Sequence, residues 1–117
     1  MSNDQRTPEL DAQGYPTEKT LSTIRGWRGS YLELMGYVNL AWWSPDWGWR
    51  EIIVENDSGI AEIHYDISTG GWSGNESLIS AMQDYSEFWR EAWYSTRRGG
   101  HYGFRLKKAQ LPNSSSP

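Results

Sequence analysis

The chain has 117 residues, eight tryptophans, seven tyrosines, no cysteine and a formal net charge of −4. That length is one domain's worth. The absence of cysteine excludes a disulfide framework, a thiol nucleophile and thiolate metal sites, and no apolar run approaches membrane-spanning length, so a soluble intracellular protein is expected. Residues 97–108 hold five bases (Arg97, Arg98, Arg105, Lys107 and Lys108) and no acid, so all fifteen acids share the rest of the chain with six bases. An acidic body with a basic C-terminal strip argues against a general nucleic-acid binder, whose basic footprint dominates.

Residues 1–16 are polar, carry Pro8, Gly14 and Pro16, and read as a flexible N-terminal tail. Thr17 is placed to cap a short helix through Leu21, Ile24 and Trp27, which Gly26 and Gly29 interrupt. Ser30 and Glu33 then form a capping-box pattern before residues 31–42. That segment suits a strand through Leu32, Leu34, Val38, Leu40 and Trp42, and a helix through Tyr31, Leu34, Met35, Val38 and Ala41; length and cap favour the helix. Ser44-Pro45-Asp46 breaks the pattern. Trp47-Gly48-Trp49 leads into a strand through Ile52, Ile53 and Val54, and Asn56-Asp57-Ser58-Gly59 is a hairpin signal. The returning strand points Ile63, Tyr65 and Ile67 one way and Glu62, His64 and Asp66 the other.

A glycine-rich loop, residues 68–76, opens a long amphipathic helix marked by Leu78, Ile79, Met82, Tyr85, Phe88, Trp89 and Trp93 at three-to-four spacing. Ser73 and Glu76 fit a second capping box, Arg97 and Arg98 fall in the last turn, and Gly99 suits a left-handed cap. A strand over 101–106 and a Ser/Pro tail over 109–117 complete the chain. The order α-α-β-β-α-β predicts a single α+β domain over residues 17–108, with a three-stranded mixed sheet packed against the long helix. A helix of ~25 residues spans ~37 Å, so the last strand should start at the far end and run parallel to the second in a right-handed crossover. Residues 42–49, the glycine loop and Lys107/Lys108 then meet at one end. Arg97, Arg98 and His101 lie at the other, beside the hairpin turn.

Three constellations stand out. Trp43, Trp47, Trp49 and Trp72 converge either as an aromatic binding surface, because indoles give large contact area at small entropy cost, or as a roof over the core. Gly70, Gly71, Ser73, Gly74 and Asn75, with Lys107 and Lys108, resemble an anion-binding helix start, although Glu76 places negative charge where the anion would sit. Arg97, Arg98 and His101 form a secondary basic site able to grip a phosphate or carboxylate. His64 between Glu62 and Asp66 lacks a second imidazole for metal unless His101 approaches, and no serine, histidine and acid stand in a recognisable triad context. No catalytic residue, metal or cofactor is assigned.

The runs Trp43-Ser44-Pro45-Asp46-Trp47-Gly48-Trp49, Ser68-Thr69-Gly70-Gly71-Trp72-Ser73-Gly74-Asn75-Glu76 and Arg97-Arg98-Gly99-Gly100-His101-Tyr102-Gly103-Phe104 resemble small uncharacterised proteins encoded by bacteriophages and prophages. The likeness covers residues 17–107. What it implies is a phage accessory protein made in the host bacterial cytoplasm. Independently of the resemblance, a monomer or homodimer is expected. The expected function is non-enzymatic binding of a host protein through the tryptophans. Two alternatives are a binder of a phosphate-bearing ligand such as a nucleotide and a hydrolase using His64 or His101.

Overall fold

The computed structural model describes residues 7–107 apart from Ser58. Thr17 accepts from the Thr20 N–H and starts α1, Glu18–Arg25. The Ser30–Glu33 capping box closes in both directions and opens α2, Tyr31–Ala41, so the ambiguous segment is a helix. Ser44 turns the chain with φ 57°, and Pro45 opens the single turn α3, Pro45–Gly48. The strands β1, Trp49–Asn56, and β2, Gly59–Ser68, follow as an antiparallel hairpin that sets Trp49 opposite Ile67 and Ile52 opposite His64.

The expected long helix is two helices, α4, Ser73–Asp84, and α5, Ser86–Ala92, broken at Tyr85. From Trp93 the chain forms β3, Trp93–Arg97, turns through Gly99 and Gly100 at positive φ, and returns as β4, His101–Lys107. The physical reason lies in the residues. Trp93-Tyr94-Ser95-Thr96 favours a pleated surface as strongly as a helix face, and two glycines are what a tight hairpin at positive φ needs. Arg97, Arg98 and Gly99 therefore belong to a hairpin, not to a helix end.

The sheet has four strands in the order β1-β2-β4-β3, and every neighbouring pair is antiparallel. This corrects the three-stranded mixed sheet. The strand that leaves the helices, β3, does run in the direction of β2, but β4 folds back between them. The helices cover one face. Ile63, Tyr65 and Ile67 of β2 and Phe104 and Leu106 of β4 meet Leu78, Met82 and Phe88, and Ile24, Leu34 and Val38 complete the core. Fully burying each such side chain contributes ~1.5–3 kcal/mol. The opposite face carries Glu62, His64, Asp66 and Arg105, all half-buried or exposed.

Residues 9–16, assigned above to the tail, form a loop tied to α1. The buried Thr20 hydroxyl donates to the Glu9 carbonyl and accepts from the Glu9 N–H, both at 2.7 Å, and Leu10 pairs with Pro16. One hydroxyl that both donates and accepts pins the segment at Glu9. Lys108 and the tail over 109–117 lie outside the described residues. Among the described residues no helix is long and apolar enough to cross a membrane.

Candidate functional site

Asn75 organises one end of the molecule. It stands in the first turn of α4 and is only 1% exposed. Its Oδ1 accepts from the Trp43 N–H at 2.9 Å, and its Nδ2 donates to the carbonyls of Trp43 and Thr69, each at 3.2 Å. A single amide thus joins the turn after α2 to the glycine loop. Each bond contributes roughly 1 kcal/mol net, and losing the buried amide would strand three backbone groups at about 1–3 kcal/mol each. Asn75 is committed to backbone, and its amide is not turned outward to an anion.

The clamp carries indoles. Trp47 is 69% exposed and Trp43 51%. Trp43 stacks on Trp72 with ring centroids 5.4 Å apart, and Trp72 meets Tyr15 in turn at 4.7 Å with the rings tilted by 36°. Trp47 covers Gly70, where an added Cβ would come within 3.1 Å of the ring, and Trp72 lies so close over Gly74 that a Cβ there would collide with it. Trp49 parts from the group. It packs edge-on against Trp42 and Tyr65 and donates to Glu51, so it roofs the core. An exposed single indole is ordinary; here Trp43, Trp72 and Tyr15 form a row of contacting aromatic rings at one end of the domain. Tyr15 was hidden from sequence reasoning because its partner Trp72 is distant in the chain. The loop that brings it there is fixed by Thr20.

The glycine loop and the Arg-Arg-Gly-Gly-His turn come together, contrary to the expectation that a helix separates them. The Thr69 N–H donates to the Gly100 carbonyl at 3.0 Å, and Ser68 Oγ and His101 Nδ1 share a hydrogen bond of 2.6 Å. The break at Tyr85 and the extra hairpin cause this, because β3 carries Arg97 back to the end that β2 left. Lys107 is at the other end, opposite Glu62; Lys108 lies outside the described residues. The Ser73–Glu76 capping box is not formed: α4 has no side-chain cap, and Glu76 instead accepts from the Thr69 hydroxyl at 3.4 Å. Gly74 and Asn75 are buried, Gly70 and Gly71 take positive φ to turn the chain, and Ser73 is exposed.

The two histidines stand apart in the register. His64 donates through Nε2 to Glu62 at 2.6 Å, and that contact holds the Glu62 carboxyl below its ordinary value. His101 pairs across the strands with Ser68. Arg97 donates to Asp66 at 3.3 Å. Among the described residues no three His, Asp or Glu side chains are grouped to hold a metal ion. In comparison with known proteins, the chain shows no significant match to any protein-family model, curated protein or solved structure.

Proposed function

We propose that this protein is a non-enzymatic binding protein that docks on a partner protein through Trp43, Trp47 and Trp72. The observation that carries this reading is the exposure of Trp43, whose backbone Asn75 clamps, together with that of Trp47 in the short helix that follows. Leaving about two-thirds of an indole in water forgoes roughly 3 kcal/mol of burial, and presenting it from a fixed turn lowers the entropy cost of docking. The resemblance of its three tryptophan- and glycine-rich runs to phage-encoded proteins supports a host bacterial protein as the partner and the host cytoplasm as the place. The acidic body favours a partner with a basic rim, through steering more than through affinity.

A phosphate-bearing ligand in the glycine loop has less support. Its backbone is roofed by Trp47 and Trp72, Asn75 is fully engaged, and Glu76 stands in the first turn of the helix. A histidine-dependent hydrolase rests on the Ser68–His101 contact alone, which no carboxylate extends among the described residues.

The test is affinity capture from bacterial lysate with the wild-type chain, Trp47→Ala and Trp43→Ala, each first shown to melt cooperatively. Trp47→Ala should change stability by less than about 0.5 kcal/mol and weaken capture of a discrete partner by about 2 kcal/mol or more. Equal capture by wild type and both variants would refute the assignment.

A further inference from the structure

The sheet face turned away from the helices holds a shallow cavity of about 280 Å³, independent of the tryptophan surface. Its floor is Gly103, inside β4, flanked by Asp66 on β2 and Ser95 on β3. One register step along lies the row Ile52, His64 and Arg105. Glycine inside a strand leaves space over the backbone, and here a Cβ would come within 2.8 Å of the Ser95 hydroxyl and reduce that space.

Two features mark the cavity as built. The β3–β4 pairing shifts register between Trp93 and Ser95, so Tyr94 is an extra residue in a bulge. The bulge sets the Tyr94 ring against Arg105, with the guanidinium carbon 3.5 Å from the ring centroid. Bulges re-aim side chains beside functional sites, and a stacked guanidinium is pre-oriented, so less freedom is lost when it binds. Arg105 makes no hydrogen bond or close ion pair with any described residue, although its charge acts on the Glu62 carboxyl, so its N–H groups are open to a ligand. Arg97, at the same cavity, is positioned by Asp66.

Charge points the same way. Among the described residues, Arg50, Arg97, Arg105 and Lys107 share this face with two strand carboxylates, Glu62 and Asp66, in a chain of net charge −4. Those carboxylates interrupt the continuous basic track a nucleic-acid backbone requires. The volume lies at the small end of ligand cavities, and Ile52 supplies an apolar wall.

We propose that this cavity binds a small organic oxyanion, a phosphate monoester or a carboxylate. Arg105 and Arg97 hold the anionic group above Gly103, and Ile52 contacts the organic part. Arg105 is the anchor because its planar donors match two oxygens of either anion.

The experiment is a titration of the 15N-labelled full chain, followed by amide NMR, with phenyl phosphate, benzoate and inorganic phosphate. The amides of His64, Gly103 and Arg105 should shift saturably with phenyl phosphate or benzoate, and the tighter of the two assigns the anion. Arg105→Gln should weaken that binding by about tenfold or more. Ile52→Ala should weaken the aromatic probe while leaving inorganic phosphate unchanged. Both positions are on the outer face, and each variant is first shown to give the wild-type amide pattern away from the cavity. No saturable shift with either organic anion, or equal affinity in wild type and Arg105→Gln, would overturn the proposal.

Discussion

Asn75 joins two loops that carry no regular hydrogen bonds to each other, and it does so with both ends of one amide. An alanine there removes three bonds and leaves the Trp43 N–H without its partner, so Asn75→Ala should destabilise the fold by about 2–4 kcal/mol. Chemical denaturation measures this, and a loss below about 1 kcal/mol would mean that water replaces the amide. Trp42 is the complementary case: its ring is buried and its indole N–H has no partner within the described residues. That nitrogen would be 3.5 Å from a Cβ on Gly48, a position where the same atom would also come within 2.6 Å of the Ser68 carbonyl. Gly48 is glycine because β2 passes directly beside it. The residue carries contact distance, not flexibility.

At the scale of elements, the β3–β4 hairpin decides what the two ends of the molecule contain. Its turn depends on Gly100, with φ 81° and a Cβ position that would collide with Thr69 Oγ1. Gly100→Ala therefore meets both backbone strain and a buried side chain, and should cost about 2–3 kcal/mol. Gly99 shares the positive φ but would meet only the His101 ring at 3.3 Å, so Gly99→Ala should cost less, about 1 kcal/mol. Thermal melts of the two variants give the order, and a reversed order would show that the hairpin tolerates the Thr69 contact. The helix break at Tyr85 belongs to the same scale. Tyr85 stacks on Phe88 and meets Tyr31 edge-on, which directs α5 onto the core while freeing Trp93 to begin a strand.

Over the whole molecule, ionisable groups set the pH range of stability from both sides. Burial raises the phenols of Tyr65, Tyr31 and Tyr85, helped by Glu51, Glu91 and Glu87 respectively. A phenol harder to ionise when folded contributes stability that is complete below the ordinary tyrosine range, about 10, and is lost as pH rises through its folded value. Glu62 and Glu18 are shifted the other way, by His64 and Arg25. Their contributions are present above the ordinary carboxylate range and fade as pH falls through the lowered folded values. The Glu18–Arg25 pair is solvent-exposed and the Glu62–His64 pair only partly buried, so the acid limb should be shallow. The alkaline limb should be the steeper, because Tyr65 is in the core. Denaturation midpoints measured against pH should show this asymmetry, and Tyr65→Phe should flatten the alkaline side; an unchanged alkaline slope would locate the effect elsewhere.

Local chemistry made much of the fold legible. The Thr17 cap, the Ser30–Glu33 box, the break at Pro45 and the alternation through Ile63, Tyr65 and Ile67 each fix structure within a few residues, so an α+β domain with an aromatic core followed from sequence by itself. The run from Trp93 was not legible, because Trp93-Tyr94-Ser95-Thr96 suits a pleated strand as readily as the end of a helix. Pairing with β4 settled it, and pairing is a contact between distant residues. One added hairpin then moved Arg97 and His101 to the glycine-loop end and left Lys107 at the other. The tryptophans could be named in advance, but their exposure could not. Whether an indole is core or surface depends on what covers it: Trp42 and Trp49 pack against each other and Trp49 against Tyr65, whereas Trp43, on backbone tied by Asn75, and Trp47 are left exposed.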